Sequence, residues 1–115
     1  MAAILMTVNL EEGMPTVPQA QSRLIAELGR ARASGAKAVK LIHGYGSSGV
    51  GGKLKIGVRQ FLSTKKRQNK IQTFVAGEEW DIFDEESRRL LADCPDLAKD
   101  PALVRSNPAI TMDLL

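Results

Sequence analysis

Apolar residues recur along the chain with two periods, one typical of a strand and one typical of a helix. Every second residue is apolar from residue 4 to 10 and again from 110 to 114, which predicts two half-buried strands. Two apolar runs of similar length, at residues 38–42 and 71–76, predict two more strands. The chain is therefore expected to form a four-stranded sheet.

Two longer stretches follow the helical period. The first begins after Thr16, a favourable N-cap residue, and ends at Ser34 and Gly35. Its apolar positions are Val17, Ala20, Leu24, Leu28 and Ala31. The second helix is expected to begin after a glycine run, with apolar positions at Leu54, Val58, Phe61 and Leu62. Gly57 lies inside this helix, where glycine costs about 1 kcal/mol relative to alanine, so close packing is expected there.

The order strand, helix, strand predicts a right-handed parallel unit at the start of the fold. The strands are also expected to share a polar face, formed by Thr7, Asn9, Lys40, Gln72, Thr111 and Asp113. A sheet covered on both sides would be apolar on both, so helices are expected on one face only. The predicted fold is a two-layer α/β sandwich, with residues 1–115 forming one domain.

Basic and acidic residues are separated along the chain. Eleven Lys or Arg and no acid lie between residues 28 and 77, whereas nine acids lie between residues 78 and 100. The acids belong to an irregular insertion at about 77–108, in which Asp84 is expected to cap a short helix that Pro95 ends. A basic region of this extent suits a polyanion. The alternative is two solvated faces that neutralise each other.

Few features point to a compartment or a membrane. The single cysteine, Cys94, excludes an internal disulfide and fits a reducing environment. The apolar N-terminal residues are too few for a signal peptide, and no segment is long enough to span a bilayer. A cytoplasmic protein without membrane contact is therefore expected.

The residues most suited to binding or catalysis follow the end of the second predicted strand. An apolar run ends at His43, the only histidine, and five of the next nine residues are glycine. A strand, a glycine loop and a helix start direct N–H groups and a positive dipole end to one place, which suits phosphate. His43 then has two interpretations: it contacts the bound anion, or it fixes the loop through backbone hydrogen bonds.

Known cofactor and metal motifs do not fit this loop. It contains glycines at positions 44, 46 and 49, but no ribose-binding acid follows the next strand. Leu54 stands where a phosphate-binding loop with Mg²⁺ needs Ser or Thr. One histidine and one cysteine about fifty residues apart give no metal-ligand spacing. No cofactor and no metal are predicted.

The sequence His-Gly-Tyr-Gly at residues 43–46 resembles a motif of the Smr (small MutS-related) domain. Val-Lys-Leu-Ile precedes it, and Gly-Gly-Lys-Leu-Lys and Val-Arg-x-Phe-Leu follow, as in the glycine run and helix of that family. The similarity is dense over about residues 37 to 62. It extends more loosely over the preceding strand–helix pair and the last strand.

The resemblance implies a β-α-β-α-β-β fold like the C-terminal domain of translation initiation factor three, with a mixed sheet whose last strand lies beside the second. It also implies nucleic-acid binding, with DNA-nicking or RNA-cleaving activity in several members. The family's other motif, Leu-Asp-x-His, is replaced here by Val8-Asn9-Leu10-Glu11. Both of its usual side chains are missing, and Glu11 becomes the candidate base beside His43.

Three functional hypotheses follow. The first is binding of DNA or RNA through the phosphate backbone, with residues 65–70 extending the contact. Its expected site residues are His43, Gly44, Tyr45, Gly46, Ser47, Ser48, Gly49, Lys53, Lys55 and Arg59. The second is an endonuclease in which His43 and Glu11 are catalytic. The third is a protein-interaction module acting through the acidic segment 78–100. The choice between DNA and RNA and the oligomeric state stay open.

Overall fold

The computed structural model of the protein describes residues 4–11, 13, 15–44 and 49–115, and the side chains of all of these except 4, 5, 49–51 and 102. In this part of the chain four strands form one mixed sheet: β1 (Ile4–Asn9), β2 (Ala36–Ile42), β3 (Thr73–Ala76) and β4 (Ile110–Leu114). The strand order is β1-β2-β4-β3. β1 and β2 are parallel, and β4 is antiparallel to both of its neighbours. The last strand therefore lies beside the second, as expected.

Helix α1 (Val17–Ala33) connects the two parallel strands and starts at the predicted cap. The hydroxyl of Thr16 accepts a hydrogen bond from the Gln19 amide at 3.3 Å, and the Gln19 side chain accepts one from the Thr16 amide at 2.9 Å. This reciprocal pair satisfies two of the N–H groups that a helix start leaves without a partner in the helix. The helix ends before Gly35, whose φ of 83° is readily adopted only by glycine.

Helix α2 spans Gly49–Arg67 and therefore begins inside the glycine run rather than after it. Glycine weakens a helix by propensity, but the buried Leu54, Val58 and Leu62 fix this one against the sheet. The expectation of close packing at Gly57 is confirmed. A Cβ at this position would lie 2.5 Å from Cγ1 of Val17 at the start of α1.

One hydrophobic core lies between the sheet and helices α1 and α2. Val39 and Leu41 point to it from β2, and Leu24 and Leu28 meet them from α1. Leu54, Val58 and Leu62 of α2 complete the cluster. The sheet and these two helices form the predicted two-layer α/β sandwich.

The acidic insertion covers the other face of the sheet, where no helices were expected. After a 3-10 turn (Gly77–Glu79) come α3 (Glu85–Asp93), a second 3-10 turn (Pro95–Lys99) and α4 (Pro101–Val104). Asp84 caps α3 as predicted, by accepting a hydrogen bond from the Ser87 amide at 2.9 Å. The insertion and the strands form a second core. The strands contribute alternate residues, which are Ala38, Val75, Ile110, Met112 and Leu114, and the insertion contributes Leu90, Cys94, Leu97 and Leu103.

Three of the polar strand residues that predicted an open face are instead paired or buried. Lys40 lies on the face that the insertion covers, and its ammonium group is 3.0 Å from the Asp100 carboxylate. Thr111 and Asp113 lie on the face of α1 and α2, and both are fully buried. The expectation that these residues face solvent is wrong, because their partners or their burial depend on segments far away in the sequence. Among the described residues, no helix is both long and apolar enough to cross a membrane.

Candidate nucleic-acid interface

His43 follows β2 and lies in the interior of the protein, with none of its surface exposed. Its backbone N–H and that of Gly44 both donate to the carbonyl oxygen of Ala109, at 3.0 and 3.1 Å. The segment that leads into β4 therefore uses the Gly44 amide, one of those expected to receive an anion, together with the His43 amide. In this arrangement neither amide is available to a phosphate.

The imidazole of His43 is also hydrogen-bonded on both sides. Its Nδ1 lies 3.0 Å from the carbonyl oxygen of Gly44, and its Nε2 lies 2.8 Å from Oγ1 of Thr111. A carbonyl can only accept, so Nδ1 carries the hydrogen and the neutral ring accepts the Thr111 hydroxyl hydrogen at Nε2. Burial, together with the positive charges of Arg59 and Lys55, lowers the pKa of His43 from 6.5 to about 4. The histidine is thus a neutral residue that fixes the start of the loop.

Thr111 connects this buried histidine to the basic helix. Its Oγ1, having donated to His43, accepts a hydrogen bond from Nε of Arg59 at 3.1 Å. The Arg59 guanidinium also donates to the carbonyl oxygens of Ile110 and Pro108, at 3.4 and 3.5 Å. These contacts fix the orientation of the guanidinium between α2 and β4.

The outer edge of the Arg59 guanidinium binds the carboxylate of Glu78 with both of its terminal nitrogens. Nη1 lies 3.1 Å from Oε2 and Nη2 lies 2.6 Å from Oε1. Lys55, one turn earlier on α2, places its Nζ 3.1 Å from the same Oε2. Partial burial alone would raise the pKa of Glu78, but the hydrogen bonds from Arg59 and Lys55 lower it to about 2. Two of the predicted nucleic-acid-binding cations therefore meet at one anion.

Glu11, the other predicted catalytic residue, lies against the start of the glycine loop. A Cβ at Gly44 would lie 2.5 Å from Oε2 of Glu11, and Gly44 has a φ of 88°. The backbone angle favours glycine at this position, whereas the carboxylate is the end of an exposed, flexible side chain that could move away from a Cβ. The ends of β1 and β2 thus bring Glu11 beside Gly44, while the His43 ring is directed into the interior.

The other predicted site residues are divided between the two ends of α2. Lys53 is exposed in the first part of the helix, and Gly49 is its first residue. The basic residues 65–70 lie at the opposite end, where Lys65 is 5.0 Å from the centre of the Phe61 ring. Tyr45, Gly46, Ser47 and Ser48 lie outside the described residues. Within the described ranges, no group of three or more His, Cys, Asp or Glu could hold a metal ion.

Sequence reasoning misses two members of this arrangement, Thr111 and Glu78. Alternation with apolar residues predicts a solvent-facing Thr111 on β4, although this residue is fully buried. The pattern of charges along the sequence identifies Glu78 only as one of the residues of the acidic segment. A signal is present for Glu78, since it is the first acid after fifty residues without one.

The fold and this site define a small α/β domain with a cationic helix at the edge where its two parallel strands end. The family model of the Smr domain matches residues 12–81, which is more than half of the chain. The chain therefore belongs to the Smr domain family, whose domains are in general of the nucleic-acid-binding or endonuclease type. Comparisons with curated proteins and with solved structures give no significant match.

Proposed function

We propose that this domain binds nucleic acid through the phosphate backbone, along the flank of α2 that carries Lys53, Lys55 and Arg59. The observation that supports this proposal most is the convergence of Lys55 and Arg59 on a single carboxylate, with N–O distances of 2.6 to 3.1 Å. A guanidinium fork that binds a carboxylate with two parallel hydrogen bonds has the geometry that also fits a phosphate. His43 acts from the interior, by fixing the segment from which the loop begins.

The sequence preference of such a site is expected to be weak. Phosphate contacts give affinity and orientation but carry no base information, and their affinity falls steeply with salt. DNA and RNA of any sequence are therefore expected to bind at low salt. The cytoplasm is the compartment that we propose, because the one cysteine is buried as a free thiol.

Fluorescence anisotropy with labelled RNA and DNA at increasing salt tests the proposal. We expect log Kd to rise linearly with log salt concentration. Lys53→Ala removes an exposed cation near the start of α2 and should weaken binding to RNA and DNA alike, with the slope reduced by about one. Lys37→Ala is the matched control, because Lys37 is exposed near the start of β2, at the opposite end of that strand from His43. Absent binding at low salt, or tight binding that salt does not change, contradicts the proposal.

Endonuclease activity is a second candidate, favoured by the position of the Glu11 carboxylate beside Gly44. Against it, the lone pair on Nε2 of His43 is engaged by Thr111, so the ring cannot accept a substrate proton in this arrangement. Cleavage assays with the wild type and Glu11→Gln distinguish an endonuclease from a domain that only binds. The substrates are supercoiled plasmid, for nicking, and structured RNA. Cleavage that only the wild type performs supports a nuclease. Equal cleavage by both proteins rejects Glu11 as the base.

Protein binding through the acidic insertion is a third candidate, because large apolar side chains project from it. Phe83 is 78% exposed and Ile82 is 64% exposed, next to a groove of about 290 Å³ that Trp80 and Leu91 help to line. Acidic residues flank both side chains, so a basic segment with apolar side chains is the partner that fits. A Lys/Leu peptide that changes Trp80 fluorescence in the wild type but not in Phe83→Ser supports this function. An equal response to a Lys/Ser peptide argues against it.

A further inference from the structure

The carboxylate of Glu78 binds Lys55 and Arg59, two of the cations that the proposed function assigns to nucleic acid. It is an anion at the place where a phosphate would bind. Arg59 and Lys55 together direct three donor nitrogens at its two oxygens. A phosphodiester presents two non-bridging oxygens that suit the same fork. The two anions cannot both occupy this position.

We propose that Glu78 occupies the phosphate position at Lys55 and Arg59 and that nucleic acid binds there by displacing it. This inference rests on the proposed function and adds a regulatory element to the same site. The ligand class is a phosphodiester of DNA or RNA. Affinity is then set by the exchange of one anion for another, and the acidic insertion that carries Glu78 limits it.

The site keeps its shape when the carboxylate leaves. Arg59 is held by Thr111, Ile110 and Pro108 on its inner side, independently of Glu78. Its outer edge, which now contacts Glu78, would remain directed at the incoming phosphate. A cation fixed in this way loses little conformational entropy on binding, which favours the exchange.

The carboxylate is also accessible to exchange. The side chain of Glu78 is 34% exposed, and those of Lys55 and Arg59 are each 21% exposed. A phosphate can approach from solvent without opening the core. The backbone that leads to Glu78, in contrast, is closely packed, because a Cβ on the preceding Gly77 would overlap the carbonyl oxygen of Asn107. Displacement therefore needs only rotation of the Glu78 side chain.

Affinity measurements on four variants test this inference, with labelled RNA and DNA at one low salt concentration. Glu78→Gln is expected to increase affinity by about fivefold or more, in the range of typical couplings between two sites. Glu78→Asp keeps the charge but shortens the reach, and it should also increase affinity. Glu79→Gln and Glu79→Asp are the matched controls at the next residue, and we expect a change of less than about twofold for them.

A double-mutant cycle shows whether Glu78 acts through the cations. In a Lys55→Ala background the gain from Glu78→Gln should be smaller than in the wild type, because one of the competed cations is gone. Circular dichroism of each variant verifies folding, and Glu78→Asp serves as the informative variant should Glu78→Gln be unfolded.

The outcomes distinguish this inference from the proposed function. Binding by the wild type with equal affinities for Glu78→Gln and Glu79→Gln overturns the competition by Glu78 and leaves the proposed function intact. A gain for Glu78→Gln without a gain for Glu78→Asp also overturns it, since charge alone would then explain the result. Absence of binding by every variant at low salt overturns both.

Discussion

The imidazole of His43 has a structural role, and the sequence position of this residue indicates that role only in part. Its ring donates to Gly44 and accepts from Thr111, so it joins the start of the loop to β4. Of the two interpretations open from the sequence, the geometry fits the histidine that fixes the loop through backbone hydrogen bonds. Any effect of this residue on ligand binding is then transmitted through the position of Gly44 and Arg59.

Replacing His43 by alanine should therefore reduce stability strongly. The substitution leaves a cavity and removes the partners of two buried polar groups, and we expect a loss of about 2–5 kcal/mol in the free energy of unfolding. Urea unfolding measured by circular dichroism checks this value. His43→Asn keeps a donor near the position of Nδ1 and should lose less. A loss below about 1 kcal/mol for His43→Ala would show that the ring is not part of the core.

Asp113 is a second buried polar residue, and its burial predicts that the stability of the protein depends on pH. Its side chain is fully buried on β4, and neither carboxylate oxygen has a hydrogen-bond partner in the described part of the chain. Burial raises the pKa of Asp113 well above its usual 3.8. The folded state therefore binds a proton that the unfolded state releases, and stability from this residue is lost as the pH rises above about 4.

Asp113→Asn should stabilise the protein increasingly with pH. The gain over the wild type is expected to be small near pH 4 and to grow by about 1.4 kcal/mol per pH unit while the wild-type carboxyl stays protonated. Urea unfolding at several pH values between 4.5 and 8 measures it. The contribution of His43 to stability changes with pH in the opposite direction, because its lowered pKa removes stability as the pH falls from 6.5 toward 4. Comparing the variant with the wild type at each pH cancels that contribution, and a gain independent of pH would contradict the assignment.

Helices α1 and α2 are in close contact at Gly57, where the helix propensity of glycine and the space that it leaves have opposite effects on stability. Alanine has the higher helix propensity by about 1 kcal/mol, which would stabilise an open position. At Gly57 the new Cβ would lie 2.5 Å from Cγ1 of Val17, whose branched side chain has little rotamer freedom in a helix. The packing conflict should exceed the gain in propensity.

Gly57→Ala is thus expected to destabilise the protein by about 1–3 kcal/mol. Gly29→Ala is its matched control, because Gly29 lies in α1, where an added Cβ would meet no atom within 4 Å. The control should stabilise by about 0.5–1 kcal/mol. Thermal unfolding of both variants beside the wild type compares them directly. Equal effects of the two substitutions would mean that the helices separate at no cost.

Element boundaries can be predicted wherever the signal is local. The cap at Thr16, the end of α1 before Gly35 and the cap at Asp84 are encoded in neighbouring residues, and each is confirmed. The start of α2 could not be predicted, since glycine propensity argues against a helix that tertiary packing supports. The ion pair of Lys40 with Asp100 joins residues 60 positions apart, which no local pattern reveals.

At the scale of the whole molecule, the candidate site could be predicted only in part for the same reason. The glycine loop and the basic helix are contiguous in the sequence and are recognisable there. Thr111 and Glu78 join them only through the tertiary fold, in which β4 lies between β2 and β3 and both residues contact Arg59 of α2. Charge segregation indicates two opposite surfaces, whereas Glu78 contacts Arg59 and Lys55 directly.

The insertion shares a core with the sheet, which predicts that it belongs to the folding unit and is not an appendage that can be removed. Leu97 is fully buried in its second 3-10 turn, in the core that also contains Met112 and Leu114 of β4. Leu24 has the same burial in the core under α1. If both faces of the sheet fold together, a cavity in either core should reduce the stability of the entire molecule.

Leu97→Ala and Leu24→Ala are accordingly expected to lower the free energy of unfolding by similar amounts, each about 2–5 kcal/mol. Unfolding should remain a single transition for both, with far-ultraviolet circular dichroism and Trp80 fluorescence giving the same midpoint. Trp80 reports on the insertion, while circular dichroism is dominated by α1 and α2, so the two probes follow opposite faces. Separate midpoints, or a loss below about 1 kcal/mol for Leu97→Ala alone, would mean that the insertion folds independently. Glu78 would then be carried by a detachable segment and could not hold Arg59 and Lys55 as firmly as the 2.6 and 3.1 Å contacts indicate.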